Sequence, residues 1–178
     1  MGPTTPGPLA GAGPIRQCAY LVRDLDAAVS QWGALGVGPF LAMPRQPMQG
    51  YVHRGSPSDP ELTLAFANSG DLQIELILAH DGKPSPFTEA LAAGADGAHH
   101  LAWWVEDWDG WASSAAAAGW EPVTHGDGGG FARFAYYDAG GPLIAEVMEL
   151  NDATRWLVDT VRAAHVGWDG SEPLRSLY

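Results

Sequence analysis

Residues 99–109 read HHLAWWVEDWD, and residues 16–26 repeat their pattern as RQCAYLVRDLD. A shift of 83 positions aligns Gln17 with His100 and Asp24 with Asp107. In both copies a polar residue opens an apolar run that ends at a valine, and an Asp-x-Asp sequence follows. Solenoid repeats span only about 20–50 residues, so a repeat of this length indicates a duplicated module.

Each copy predicts a β-strand followed by an α-helix. In the first copy, residues 17–22 predict the strand and Asp24 the N-cap of a helix near 25–35, where apolar residues recur at spacings of three and four. In the second copy, Asp107 caps a helix near 108–118 in the same way. Turn residues and apolar runs after each helix predict three further strands.

The order of strand, helix and three strands occurs twice, which predicts an α+β fold. We expect two βαβββ modules, at residues 15–80 and 98–150, whose paired curved mixed sheets surround a central cavity. Residues 81–97 are expected to link the modules, and residues 151–178 to form a C-terminal helical extension. Residues 1–14 consist mainly of Gly, Pro and small side chains and are expected to be a disordered leader.

Composition limits the kinds of partner that the chain can bind. It has 178 residues and a formal net charge of -12. This charge would repel a phosphate backbone or an anionic membrane surface, so we expect neither nucleic acid nor a membrane as a partner. No run approaches the roughly 18 apolar residues of a membrane span, and the N-terminal residues lack a signal pattern. Together with a single cysteine, Cys18, these features predict a cytoplasmic protein.

Four polar residues at matched places in the two modules predict a metal site. Gln17 and His100 open the first strands, whereas Glu75 and Glu146 lie among apolar residues of the last strands. A carboxylate inside a buried strand is costly unless it is paired or bound to a cation. One imidazole, two carboxylates and one amide oxygen suit a divalent cation, which could be Zn, Ni, Co, Mn or Mg.

Simpler interpretations exist for several of these residues. Gln17 alone is typical of a strand start, and His100 alone of a hydrogen-bonded core histidine. His99 is expected to point away from His100, to the opposite face of the strand, and to be structural. Four aromatic residues are expected either to line a substrate pocket or to belong to the core: Tyr51, Trp104, Phe134 and Tyr136.

The repeated module resembles the vicinal oxygen chelate superfamily over residues 15–150. Its members include glyoxalase I, methylmalonyl-CoA epimerase, extradiol dioxygenases, fosfomycin-resistance enzymes and bleomycin-binding proteins. Four segments carry the resemblance: QCAYLVRDLD at 17–26, LQIELI at 72–77, HHLAWWVEDWD at 99–109 and LIAEVME at 143–149. The chain is most similar to the glyoxalase and epimerase branch. Animal-type glyoxalase I is similar in its ligand order of Gln, Glu, His and Glu, whereas epimerases typically have His where this chain has Gln17.

The resemblance implies that Gln17, Glu75, His100 and Glu146 bind a divalent metal ion. The implied activity is that of an isomerase, epimerase or lyase that removes a proton alpha to a carbonyl group, with Glu146 or Glu75 as the base and Glu146 preferred. Because the acidic chain lacks an evident clamp for CoA or glutathione, we expect a small, apolar, oxygenated substrate. We also expect a homodimer. The alternative is a non-catalytic, metal-free protein that holds a hydrophobic molecule between its sheets, as the bleomycin-binding members do.

Overall fold

The computed structural model describes residues 7–138 and 144–178. The helices are α1 Leu25–Ala34, α2 Pro86–Ala92, α3 Trp108–Ala117 and α4 Asp152–His165, preceded by a short 3-10 helix, Pro8–Gly11. The strands are β1 Gln17–Leu21, β2 Phe40–Pro47, β3 Tyr51–His53, β4 Ser56–Ser58, β5 Glu61–Ser69, β6 Leu72–Ala79, β7 Gly97–Val105, β8 Thr124–Gly126, β9 Phe134–Asp138, β10 Ile144–Glu149 and β11 Leu174–Ser176.

The repeated pattern of strand, N-cap and helix is confirmed in both modules. The Asp24 side chain accepts a hydrogen bond from the backbone N–H of Ala27 and caps α1. Asp107 accepts from the backbone N–H of Gly110 and caps α3 in the same way. Both bonds satisfy a backbone donor that the first turn of a helix leaves free. Within the described part of the chain, no helix is both long and apolar enough to cross a membrane.

The eleven strands of the described residues form one continuous sheet, in the order β11-β2-β5-β6-β1-β7-β10-β9-β8-β3-β4. The first strand of each module pairs in parallel with the last strand of that module, as β1 with β6 and β7 with β10. The modules join where β1 and β7 pair antiparallel. The predicted α+β fold with curved mixed sheets is confirmed, and the two sheets meet edge to edge at this pair.

A short chain connection forces the sheet to curl. Strand β2 ends at Pro47 and β3 begins at Tyr51, although these strands stand second and tenth in the order across the sheet. Four residue steps span at most about 14 Å. The two ends of the sheet must therefore approach each other, and the concave face encloses a central cavity.

Helices α1 and α3 cover the convex face of the sheet. In the first module, Ala28 and Val29 of α1 pack with Leu76 of β6. In the second module, Trp111 of α3 packs with Val147 of β10. Because successive strand residues point to opposite faces, this packing leaves Glu75 and Glu146, next to Leu76 and Val147, on the concave face.

The C-terminal extension belongs to the same core. Leu157 and Val161 of α4 pack against Leu41 of β2 and Phe66 of β5. Strand β11 then pairs in parallel with β2 and extends the sheet beyond it. Helix α4 thus covers one side of the cavity that the sheet encloses.

Two regions differ from the predicted domain organisation. The prediction of a disordered leader is wrong for Pro8–Gly11, because these residues form a 3-10 helix. This helix brings Leu9 against the apolar cluster around α3. Composition alone does not reveal such a long-range contact. Residues 1–6 lie outside the described residues. The linker contains α2, where Ser85 and Thr88 form a capping box. The residues Asp138-Ala-Gly-Gly141 also predict a turn, but residues 139–143 lie outside the described residues.

Candidate metal centre

Four neighbouring strands at the centre of the sheet carry the four predicted ligands. Glu75 is on β6, Gln17 on β1, His100 on β7 and Glu146 on β10. The strand register aligns them in two rows, Glu75–Ala19–His100 and Gln17–Ala102–Glu146. The two intervening residues are fully buried alanines. Their small side chains leave room above the sheet between the polar groups.

Glu75, His100 and Glu146 form a compact buried cluster. One potential ligand atom from each residue lies within 4.8 Å of the other two. The His100 Nε2 atom is 3.0 Å from Glu146 Oε2 and 3.4 Å from Glu75 Oε2. His100 is 0% exposed and each glutamate is 6% exposed. A single cation could therefore contact all three side chains.

Burial and mutual charge perturb ionisation in this cluster. Burial raises the pKa of Glu75, His100 opposes this effect, and the carboxylate of Glu146 adds to it. Burial would lower the pKa of His100, but the carboxylates of Glu146 and Glu75 outweigh it and raise this pKa to about 9. Without a metal ion, the imidazolium is thus the positive charge that two buried carboxylates require.

The donor set fits a divalent metal ion. Although His100 Nε2 lies close to both carboxylates, it makes no hydrogen bond of acceptable geometry with any described residue. A divalent ion placed between the three side chains would use this nitrogen and both carboxylates as ligands.

His99 fixes the orientation of the His100 ring. The two Nδ1 atoms are 3.0 Å apart, and His99 Nε2 is 3.4 Å from the backbone oxygen of Pro86. Burial, followed by the charge of His100, lowers the pKa of His99 to about 4, so its ring is neutral. Its Nε2–H then donates to Pro86, and its Nδ1 accepts from His100 Nδ1–H. This arrangement leaves His100 Nε2 directed to the carboxylates.

The prediction that His99 points to the opposite face is wrong. Its ring packs against Phe87, which lines the central cavity. The pairing of β1 with β7 shifts register between Ala19 and Tyr20. Ala19 pairs with His100 and Tyr20 with Ala98, so His99 is an extra residue of β7 at this point. Such a β-bulge interrupts the alternation of side chains along a strand. Both histidines therefore lie on the concave side.

Gln17 lies in the wall of the same cavity as Glu75 and Glu146. Its Nε2 donates a 2.8 Å hydrogen bond to Oε1 of Gln73, and both glutamines are buried. Because the nitrogen end of the Gln17 amide is engaged, its oxygen end remains available as a ligand. The structure thus brings three of the predicted ligands into one cluster and places the fourth beside them.

The cavity next to the cluster has a volume of about 230 Å³ and a mostly apolar wall. Tyr136 lies at its polar end, with its ring 5.1 Å from that of His100. Burial, followed by the carboxylates of Glu146 and Glu75, raises the pKa of Tyr136 well above 10, so the phenol stays protonated at neutral pH. Among the lining residues that the structure describes there is no Lys or Arg. Residues of the apolar wall include Met43, Leu64, Phe66, Phe134, Met148 and Leu157.

The four predicted pocket aromatics divide into two groups. Phe134 and Tyr136 are in the cavity wall. The prediction that Tyr51 lines the pocket is wrong. Tyr51 is 2% exposed and lies behind this wall in the core, where its ring is 5.9 Å from the ring of Phe134. The same prediction is wrong for Trp104, which lines a separate surface groove next to Pro8 of the 3-10 helix. Trp104 stands close to the end of β7, beyond the two rows that form the cluster.

Sequence reasoning missed several residues of this region. Gln73 precedes Glu75 by two positions on the same strand, so the alternation that identified Glu75 could also have identified Gln73. Leu157 and Val158 of α4 line the cavity although they are far from the repeated modules in sequence. Nothing in their local sequence indicates this contact, because it depends on how the extension folds back.

These features define a duplicated βαβββ protein with a carboxylate–imidazole cluster on the concave face of its sheet. The family model described as the Glyoxalase/Bleomycin resistance protein/Dioxygenase superfamily matches residues 16–137. The chain belongs to this superfamily. A search of curated proteins gave no match.

Solved structures share the fold. The hypothetical protein BH1468 from Bacillus halodurans C-125 is 19% identical, with 78% of this chain and 95% of that chain covered and a TM-score of 0.62. Methylmalonyl-CoA epimerase from Mycobacterium tuberculosis is 19% identical, with 80% and 91% covered and a TM-score of 0.56. A selenomethionine methylmalonyl-CoA epimerase is 21% identical, with 78% and 95% covered and a TM-score of 0.51. At these identities the likeness shows the fold alone.

Proposed function

We propose that this protein is a divalent-metal-dependent isomerase, epimerase or lyase that removes a proton alpha to a carbonyl group. The observation that carries the proposal is the buried cluster of Glu75, His100 and Glu146, which adjoins a mostly apolar cavity. Membership of the superfamily supports a metal-dependent reaction of this type. In this proposal Gln17 completes the ligand set, and the ion is Zn, Ni, Co, Mn or Mg.

The residues around the cavity have distinct roles in the proposed reaction. A bound divalent ion would supply a Lewis acid that stabilises negative charge on the substrate oxygens. Glu146 lines the cavity and lies directly opposite Tyr136 of β9 in the strand register. We assign Glu146 as the base that takes the alpha proton, with Glu75 as its counterpart in the other module.

The cavity wall favours a small, neutral, apolar substrate. Two arginines that could have bound a polyanion such as CoA are already paired. Arg45 is 2.6 Å from Glu61, and Arg133 is 2.6 Å from Glu149. The cavity volume of about 230 Å³ suits a small molecule, and its aliphatic and aromatic side chains would bind an apolar substituent through the hydrophobic effect.

Metal content and proton exchange test this proposal together. We expect protein purified without added metal to carry a divalent ion, and to exchange the alpha proton of small neutral 2-hydroxyketones in D2O, measured by proton NMR. Glu146→Gln should retain metal but lose the exchange. The control is Glu149→Gln, a substitution on the same strand at a residue that pairs with Arg133 instead. Absence of both metal and exchange in the wild type would refute the proposed function.

The apolar wall also supports a second candidate function, the sequestration of a hydrophobic molecule. Leu157 and Val158 of α4 close the cavity on one side, as expected for a site that holds its ligand. Metal-free protein should then bind small aromatic ligands as tightly as metal-loaded protein does. A calorimetric comparison of the two forms with benzaldehyde would distinguish this candidate from the enzyme, for which we expect metal-dependent binding.

We further propose a homodimer. Trp156 on α4 is 52% exposed and Val166, just after this helix, is 77% exposed. Aromatic residues such as Trp are enriched in interfaces between subunits. Sedimentation velocity at micromolar concentration should give the mass of a dimer, and Trp156→Glu should shift the protein to the mass of a monomer.

A further inference from the structure

Three buried side-chain amides form a row across neighbouring strands. Asn68 of β5 lies opposite Gln73 of β6, and Gln73 lies opposite Gln17 of β1. These side chains are 2%, 1% and 4% exposed, respectively. The row continues through Ala102 to Glu146. One end of this amide row, defined as Asn68, Gln73 and Gln17, is therefore at the carboxylate cluster.

The direction of the Gln17 amide decides whether it can bind a cation. A glutamine side chain offers lone pairs only through its oxygen, whereas its nitrogen carries two N–H donors. A rotation of 180° about the final side-chain bond exchanges the oxygen and nitrogen positions of a glutamine amide. In Gln17 this rotation would direct the N–H donors toward the cation. A metal site that includes Gln17 therefore needs a partner that fixes the direction of this amide.

Hydrogen bonds along the amide row have one direction. The Asn68 Nδ2 donates to the backbone oxygen of Gly70 at 3.1 Å, which leaves Asn68 Oδ1 as the free end of this amide. The Gln17 Nε2 donates to Gln73 Oε1 at 2.8 Å, which leaves Gln73 Nε2 free. These two free atoms, one acceptor and one donor on adjacent strands, are buried and have no hydrogen-bond partner in the described part of the chain.

We propose that Gln73 is a positioning residue that turns Oε1 of Gln17 toward the metal ion, and that Asn68 in turn fixes the direction of Gln73. The assignment rests on the proposed function, because it requires a cation at the cluster. A buried donor facing a buried acceptor is unfavourable only while the two remain unpaired. A hydrogen bond from Gln73 Nε2 to Asn68 Oδ1 would satisfy both atoms and is compatible with the bond from Gln17 to Gln73 Oε1.

The substitution Gln73→Met tests this role. It removes the acceptor for Gln17 Nε2 but keeps an unbranched, uncharged side chain of similar length. We expect the affinity of metal-free protein for Co²⁺, measured by titration, to fall by about 10–100-fold. The visible absorption spectrum of bound Co²⁺ should change as well, because Gln17 no longer holds its oxygen on the ion. Gln73→Glu retains an acceptor for Gln17 and should keep the wild-type spectrum.

A matched control separates this role from a general effect of the cavity wall. Gln46 also lines the cavity, but its Nε2 donates to the backbone oxygen of Pro44. Gln46→Met should bind Co²⁺ with wild-type affinity and spectrum. Asn68→Leu should reduce the Co²⁺ affinity in the same direction as Gln73→Met and by a smaller factor, because Gln73 would still accept from Gln17. Thermal unfolding of each variant would verify that it folds.

A double-mutant cycle decides between orientation and a purely structural role. In Gln17→Glu, the carboxylate offers an oxygen whichever way it turns, so it needs no orienting partner. We expect Gln73→Met to have no further effect on Co²⁺ affinity in this background. An equal loss in both backgrounds would overturn the orienting role, and so would wild-type affinity in the single variant. If the wild type binds no Co²⁺, the proposed function fails and the orienting role fails with it.

Discussion

The substitution His100→Ala probes the cluster most directly. His100 Nε2 lies 3.0 Å from Glu146 Oε2 and 3.4 Å from Glu75 Oε2, in a fully buried position. In the metal-free protein the carboxylates raise the pKa of His100 to about 9, so the imidazolium is their counter-charge at neutral pH. The alanine variant would leave two buried carboxylates facing each other, with neither the counter-charge nor the nitrogen ligand.

The expected loss of stability is large. Removing one partner of a buried ion pair costs about 3–5 kcal/mol. For a chain of this size each kcal/mol corresponds to about 3 °C in Tm, so we expect Tm to fall by about 9–15 °C. Added metal should stabilise the wild type by about 2.7 kcal/mol at one hundred times the dissociation constant. That stabilisation corresponds to a rise in Tm of about 8 °C, and we expect it to be absent in the variant.

Scanning calorimetry with and without added Zn²⁺ or Co²⁺ would measure both effects. The matched control is His125→Ala, because His125 is an exposed histidine of β8 and its loss removes one surface site for adventitious metal. We expect this control to unfold at the wild-type Tm and to respond fully to metal. If His100→Ala showed the wild-type Tm and the wild-type response to metal, the assignment of the cluster as a metal site would be refuted.

Three further predictions concern the cavity and the pH dependence of stability. Leu157→Ala should cost about 2–5 kcal/mol in urea unfolding, because this side chain is buried where α4 packs on the sheet. Ala102→Leu should abolish binding of Co²⁺ in a titration, since the larger side chain would fill the space between Gln17 and Glu146. The hydrogen bond from Arg54 lowers the pKa of Glu89 from 4.5 to about 2. The resulting stabilisation is present above pH 4.5 and is lost as the pH falls toward 2. Because the Glu89 side chain is 45% exposed, Glu89→Gln should lower the free energy of unfolding at neutral pH by less than about 1 kcal/mol.

The fold and the polar cluster could be predicted because their signals are local and occur twice. The periods of strand and helix are set by neighbouring residues, and Asp24 and Asp107 mark the helix starts directly. Glu75 and Glu146 were identifiable because a carboxylate inside an apolar strand needs a partner. The repeat then gave the partners at matched positions, and the strand register of the structure places Glu75, His100 and Glu146 together.

The remaining features depend on contacts between distant parts of the chain. The bulge that turns His99 to the concave face arises where β1 pairs with β7, and strand alternation alone does not predict it. Trp104 lines a groove together with Pro8 and Gly11 of the 3-10 helix, which are distant from it in sequence. In the same way, α4 lines the cavity because the extension folds back over β2 and β5.

The connection of three residues between β2 and β3 limits how far apart the two ends of the curled sheet can lie. Each residue inserted there would add at most about 3.6 Å of reach. A longer connection would therefore allow a wider cavity without any change to Gln17, Glu75, His100 or Glu146. The length of this loop therefore limits the width of the cavity, whereas the four predicted ligands lie on the central strands. Selection or design could alter either property independently of the other.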